Sequence, residues 1–181
     1  MSTPQQAAET LLLQARRFRV VAVQETVQDG TSRQRDVIRH SGSVAIVPVV
    51  DPQHVCLIRN FRVSVGKALI EIPAGTLEPN EDPHAAALRE LTEETGYSAD
   101  NLELLASCYL SPGILDELMR VYRATGLTAG PAARELGEQI ENLIVTWDEA
   151  LQMIRNGEIQ DAKTIVGLLA CLGPLAAVRG D

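Results

Sequence analysis

Residues 72–97 read IPAGTLEPNEDPHAAALRELTEETGY, and the rest of the chain can be placed outward from them. Asp82 suits an N-cap and Pro83 the first helical position, where a missing N–H costs nothing. Gly96 falls where a left-handed C-terminal cap is wanted. The spacing therefore predicts a helix over 83–95. At roughly 100° per residue, Glu90, Glu93 and Glu94 share an arc of about 100°, while Leu88, Leu91 and Thr95 lie around the other side. Ala85, Ala86 and Ala87 leave room for a loop or ligand to approach.

Three carboxylates at i, i+3 and i+4 repel one another by a few tenths of a kcal/mol per pair, and in the C-terminal half of a helix the dipole cannot relieve them. A divalent cation relieves both. Mg²⁺ takes oxygen ligands from a few carboxylates plus substrate phosphates and keeps waters elsewhere, so the cluster points to phosphoryl chemistry. Arg89, beside the cluster, can orient a carboxylate through a bidentate pair.

The chain of 181 residues suits one domain with a sizeable core. Its net charge of -8 argues against a nonspecific nucleic-acid or membrane binder and leaves an anionic substrate dependent on metal and arginines. Cys56, Cys108 and Cys171 are odd in number and lack metal-ligand spacing, which fits free thiols in a reducing compartment. Residues 1–18 lack a secretory signal and no apolar run reaches membrane-spanning length, so a cytoplasmic protein is expected.

In chain order, residues 1–16 read as a short helix or arm. A strand over 17–27, a turn at Asp29-Gly30 and a return over 35–39 make an N-terminal ribbon. Residues 44–50 (VAIVPVV) form a buried strand, Asp51-Pro52 a turn, and 55–60 the antiparallel continuation. Residues 69–72 lead into the helix stretch. Strands follow over 102–107 and 118–125 around a Ser111-Pro112-Gly113 loop. Residues 126–137 read as a loop, 140–146 as a strand, and 147–156 and 161–172 as helices. The organisation expected is an arm and ribbon over 1–40, a main domain over 41–173 and a tail over 174–181.

Gly75, Glu81 and the run Arg89-Glu90-Leu91-x-Glu93-Glu94-x-Gly96-Tyr97 resemble the Nudix box at every defining position. From about residue 35 to 169 the chain resembles the ADP-ribose pyrophosphatases of that superfamily, through 37–48 (VIRHSGSVAIVP), 59–62 (RNFR), 71–75 (EIPAG), 111–113 (SPG) and 157–164 (GEIQDAKT). Pro112 follows the box at that subfamily's spacing. The resemblance implies an α/β fold, an α/β/α sandwich with a mixed β-sheet. It also implies a homodimer formed through an N-terminal β-ribbon that helps build the partner's nucleoside pocket.

Carried over residue by residue, the resemblance makes Glu90, Glu94 and the backbone carbonyl of Ala74 the metal ligands, with Mg²⁺ as cofactor and Mn²⁺ as substitute. Glu93 is a further ligand or support. Glu81 and Arg89 belong to the architecture of the box, with Arg89 near enough for a catalytic part, and Gly75 serves the turn. Clustered metal ions neutralise phosphate oxygens, activate a water and stabilise the leaving phosphate, and a nearby carboxylate takes the water's proton. Glu138 is the first choice for that base or for an extra ligand, with Glu141 second. Leu136 occupies a place that is acidic in some relatives.

Arg62 is the candidate for the diphosphate, with Arg59 weaker, and Ser111 and Glu117 match positions that approach the terminal ribose. The implied activity is Mg²⁺-dependent cleavage of a nucleoside diphosphate sugar, ADP-ribose, to AMP and ribose 5-phosphate. One alternative is GDP-mannose or another nucleotide sugar. An alternative of another class is a nucleotide-sensing Nudix domain without catalysis, against which stand the intact glutamates and the lack of a basic extension.

Overall fold

The computed structural model describes residues 9–27, 30–132 and 140–173. Its strands are β1 (Glu9–Gln14), β2 (Phe18–Thr26), β3 (Ser32–His40), β4 (Ser43–Pro48), β5 (His54–Arg62), β6 (Lys67–Glu71), β7 (Ala74–Thr76), β8 (Tyr97–Tyr109), β9 (Leu118–Ala129) and β10 (Glu141–Thr146). The helices are α1 (Pro83–Thr95), α2 (Trp147–Arg155) and α3 (Ala162–Leu172). Among the described residues the strands form three sheets, ordered β1-β2-β3, β10-β5-β6 and β7-β4-β9-β8. Only β4 and β9 pair in parallel; every other strand pair is antiparallel, so the central sheet is mixed.

All six residues of β4 are buried, and its side chains alternate between two cores. Val44 and Ile46 pack with Ala86, Ala87 and Leu91 of α1 and with Tyr122 and Ala124 of β9. Ala45 and Val47 pack the other way, with Leu57 of β5, Val121 of β9 and Leu168 of α3. The result is the α/β/α sandwich, with α1 on one face of the central sheet and α3 on the other. Each fully buried Val, Leu or Ile contributes roughly 1.5–3 kcal/mol, so β4 anchors both layers.

Because β4 is apolar on both faces it takes a central place, between β7 and β9, and the expected hairpin with β5 does not form. The turn does: the Asp51 carboxylate accepts from the N–H groups of Gln53 and His54, at 2.7 and 2.9 Å. Beyond it one bridge, Val49 to Val55, joins the two segments before β5 enters the other sheet.

Other boundaries shift for the same tertiary reason. Residues 9–14 are a strand, since Leu11, Leu12 and Leu13 have no helical period and their backbone pairs with β2 across a register shift. The return strand β3 starts at Ser32, because Thr26 already pairs with Ser32. Strands β8 and β9 outrun their expected ends, with Tyr97–Ala129 as the last pair, so residues 126–129 of the expected loop are strand. Ala86 and Ala87 are fully buried against the sheet, leaving Ala85 alone of the three exposed.

Helix α1 has the expected bounds. The Asp82 carboxylate accepts from Ala85 N–H, and Gly96 closes the helix at φ 80° with its N–H bonded to the Thr92 carbonyl. A Cβ on Gly96 would also stand 2.4 Å from the Gly130 carbonyl oxygen and 2.9 Å from the Ala132 nitrogen, backbone atoms that cannot swing aside. Gly96→Ala is expected to cost about 2–3 kcal/mol, from left-handed backbone strain plus overpacking. Urea unfolding with an unchanged m-value checks it; a loss below 0.5 kcal/mol, on the order of a neutral surface change, would contradict this account.

Candidate active site

Strand β7 and helix α1 meet at two residues. Glu94 of α1 is buried and its carboxylate accepts from Ala74 N–H at 3.0 Å. One turn earlier, the Glu90 carboxylate lies over Gly75 so closely that a Cβ there would stand 1.8 Å from Glu90 Oε1 and 2.0 Å from its Cδ. Strand β7 is held by pairing of Val44 with Gly75 and Ala45 with Ala74. Gly75 therefore supplies more than a turn: it is the space that the Glu90 carboxylate fills.

Arg89 ties the cluster together. Its Nε and Nη2 donate to the two oxygens of Glu81, at 2.9 and 3.1 Å, and its Nη1 donates to Glu90 Oε1 at 2.8 Å and Glu93 Oε2 at 3.0 Å. The guanidinium is held above its ordinary pKa, first by the Glu81 hydrogen bond and against the effect of burial. The Glu81 carboxyl is correspondingly lowered, by Arg89 first and then by Glu78 N–H. That N–H lies 2.9 Å from Glu81 Oε2, so Glu81 also pins the loop that precedes the helix. Three carboxylates share one guanidinium and Glu94 stands one turn on from Glu90, so the cluster stays negative.

Among the described residues no three His, Cys, Asp or Glu side chains stand ready to hold a metal ion by themselves. The donor set still fits a hard divalent cation, because such an ion completes its shell from a few carboxylates, a backbone carbonyl, water and phosphate oxygens. Glu90 and Glu94, from adjoining turns of α1, both lean on 74–75, and the Gly75 cradle exists only for a carboxylate.

The cluster forms one wall of an open cleft of about 720 Å³. Ala74, Arg62, Arg89, Glu90, Glu93 and Glu94 line it, together with Arg16, Arg17, Phe18, Arg39, His40 and Asp116. The residues from the ribbon, Arg16, Arg17, Phe18, Arg39 and His40, are not legible in the sequence as part of a cleft. The run RRFR at 16–19 was visible, but its place depends on the pairing of Phe18 with His40, which brings the β1–β2 turn to the end of β3.

Arg62 reaches the cleft already engaged. Its Nε and Nη2 donate to the two oxygens of Glu71 at 2.8 and 2.6 Å, and Lys163 Nζ donates to the same carboxylate. Lys163 also pairs with Asp161 at 3.0 Å, and Asp161 caps α3. Burial pushes the Glu71 carboxyl up, but Arg62 and Lys163 outweigh it, so its pKa lies below the ordinary value of 4.5.

The remaining expected residues are spread out. Ser111 is exposed in a turn, its carbonyl accepting from Ile114 and Leu115 N–H, and it does not line the cleft. Glu117 does not line the cleft; it lies 4.0 Å from Nδ1 of His40, which does. Glu141 lies in a separate recess, paired with Arg59 at 3.7 Å. Glu138 is outside the described residues.

A mixed-sheet sandwich that lays such a helix against a glycine strand defines the class of Nudix-type hydrolases. The NUDIX domain family model matches residues 39–166, and the chain belongs to this family. It is 39% identical over 138 residues to the ADP-ribose pyrophosphatase of Bacillus subtilis (strain 168), covering 75% of each chain. It is 39% identical over 142 residues to the methanol dehydrogenase activator of Bacillus methanolicus, covering 77% of each. To the GDP-mannose pyrophosphatase of Citrobacter koseri it is 35% identical over 157 residues, covering 76% of this chain and 81% of that one. A crystal structure of an ADP compounds hydrolase superposes with a TM-score of 0.80 over 95% of each chain at 22% identity, a likeness of fold.

Proposed function

We propose that the chain is a Mg²⁺-dependent pyrophosphohydrolase that cleaves ADP-ribose to AMP and ribose 5-phosphate. The observation that carries it is the Glu90 and Glu94 pair seated on 74–75 in a cleft that several arginines also line. Similarity to the Bacillus subtilis ADP-ribose pyrophosphatase supports the substrate.

In this reading Glu90, Glu94 and the Ala74 carbonyl hold the cation, which when bound supplies charge neutralisation on the diphosphate and a more acidic water. Arg89 keeps Glu90 and Glu93 at fixed distances from Glu81, so the carboxylates are positioned before substrate arrives. Glu93, more exposed than Glu90, acts as a further ligand or support. Glu138 takes the proton of the attacking water. Glu138→Gln is then expected to lower kcat by about 10²–10³ with little change in KM, while Glu141→Gln stays near wild type; steady-state rates of both variants check it. Equal loss in both would move the base elsewhere.

The cleft residues stand alongside a ribbon whose edge strand β1 exposes Leu11, Leu12 and Leu13. Such an edge invites pairing with a second copy, and a homodimer is part of the proposal. So is a cytoplasmic setting, where Cys56, Cys108 and Cys171 stay as free thiols. Among the described residues, no helix is long and apolar enough to cross a membrane.

GDP-mannose is the second reading, favoured by the similarity to the Citrobacter koseri enzyme. A hydrolysis screen with Mg²⁺ over ADP-ribose, GDP-mannose, diadenosine polyphosphates and nucleoside triphosphates, with EDTA as control, decides between them. EDTA-sensitive release of AMP from ADP-ribose is the expected result. Preference for GDP-mannose would keep the site and change the substrate, and binding without cleavage would favour a sensor.

A further inference from the structure

Helix α3 lies on the face of the central sheet opposite α1, yet its first turn grips the segment that feeds β7. Between β6 and β7, Ile72 and Pro73 cross from one sheet to the other. Pro73 has no N–H, so Ile72 carries the single backbone donor of the crossing. Ile72 is fully buried, and its N–H donates at 2.8 Å to Oγ1 of Thr164, which is fully buried as well. The Pro73 carbonyl accepts from Ile46 N–H of β4 at 2.9 Å. Next in the chain is Ala74, whose N–H donates to Glu94.

The direction of the Thr164 hydroxyl is fixed from its other side. Asp161 Oδ2 accepts from that hydroxyl at 2.6 Å and from Thr164 N–H at 3.0 Å, and Lys163 Nζ pairs with the same oxygen at 3.0 Å. A carboxylate only accepts and a backbone N–H only donates, so the hydroxyl gives its proton to Asp161 and turns a lone pair to Ile72. One turn on, Gly167 lets α3 close on the Ile72 side chain: a Cβ there would stand 2.8 Å from Ile72 Cδ1 and 3.0 Å from Val47 Cγ2. The helix therefore holds Ile72 by backbone and side chain together. Thr164 itself does not line the cleft.

We propose that Thr164 is a positioning residue for the cation site, a role that rests on the reading in which Glu90, Glu94 and the Ala74 carbonyl hold the cation. From the far face of the sheet it sets, through Ile72, where Ala74 and its partner Glu94 stand. Release of the Ile72 N–H lets β7 move against α1 and loosens the bond between Ala74 and Glu94. Loss of a residue that holds ligands in place costs about 10–100-fold in metal affinity.

The test is Mn²⁺ titration of the full chain without nucleotide, read by electron paramagnetic resonance, together with amide exchange of the metal-free protein by NMR. Thr164→Val keeps the shape but leaves a buried N–H unpaired, and it should weaken Mn²⁺ binding about tenfold. Thr164→Ser keeps the hydroxyl and should restore binding. In the metal-free Thr164→Val protein, Ala74 N–H should exchange on the order of tenfold faster relative to the amides of β5. Val55→Ala opens a cavity at the other end of β5 from Arg62 and should bind Mn²⁺ as wild type, which separates positioning from general loss of stability. Wild-type affinity in Thr164→Val, an equal loss in Val55→Ala, or no rescue by Thr164→Ser overturns the proposal. If Thr164→Val does not fold, Asp161→Asn decides, since it keeps a capping oxygen but weakens the hold on the hydroxyl; unchanged affinity there overturns the proposal. If wild type binds no Mn²⁺, the cation reading fails, and unchanged exchange of Ala74 N–H in Thr164→Val would then show that Thr164 does not hold β7.

Discussion

Gly75→Ala should abolish most activity without unfolding the protein. Gly75 lies in a short strand with no left-handed backbone demand, and its pairing with Val44 needs no side chain. The three atoms nearest to an added Cβ all belong to Glu90, whose two oxygens and Cδ would lie at 1.8, 2.5 and 2.0 Å. Glu90 ends a flexible side chain, so it swings off the strand, away from Arg89 and from Glu94's side of β7. On the proposed reading, in which Glu90 holds the cation, losing it lowers kcat/KM on the order of 10³-fold. The thermal midpoint should stay within a few degrees, because no buried apolar contact is lost. Activity within threefold of wild type, or a collapse of the fold, would count against the cradle. Glu90→Gln should reproduce the kinetic loss at an intact Gly75.

Glu71→Ala is expected to be the costliest loss of stability. Glu71 is 1% exposed and balances both Arg62 and Lys163. Removing it leaves the half-buried Arg62 without its carboxylate and Lys163 with Asp161 alone, a change worth roughly 3–5 kcal/mol. In a chain of 181 residues that lowers the midpoint by roughly 10 °C. The pH dependence has a definite sign. The folded pKa of Glu71 lies below 4.5, so its contribution is fully present above 4.5 and is lost as the pH falls through the depressed value. Wild type should therefore lose stability on acidification below about 4.5 more steeply than Glu71→Gln, measured by urea midpoints across that range. Parallel profiles would remove Glu71 from the acid transition.

How far the sequence could be read follows the range of the forces involved. Helix α1 was legible to the residue because Asp82, Pro83 and Gly96 act within one turn of their own positions. The carboxylate wall was legible for the same reason, since helical spacing alone puts Glu90, Glu93 and Glu94 together. Strand partners were not: β4 and β5 look like a hairpin until the two-faced burial of β4 places it between β7 and β9. Arg62 looked free because the carboxylate that takes it is nine residues on, in β6, and is completed by Lys163 from α3. Arg16, read as the end of an arm, and Arg17, read as the start of a strand, form a hairpin turn because residues 9–14 are a strand that pairs with β2.

The parallel pairing of β4 with β9 also bears on how the molecule comes to exist. Ser43 pairs with Met119 and Ala45 with Val121, so the most apolar strand of the sheet waits for a partner 76 residues downstream. During synthesis the run 43–48 leaves the ribosome with neither its parallel neighbour nor α3 yet made. Non-local pairing of this kind is slow and leaves a sticky edge uncovered meanwhile. The ribbon β2–β3 and the β5–β6 hairpin close locally and can form early, one on each side of that edge.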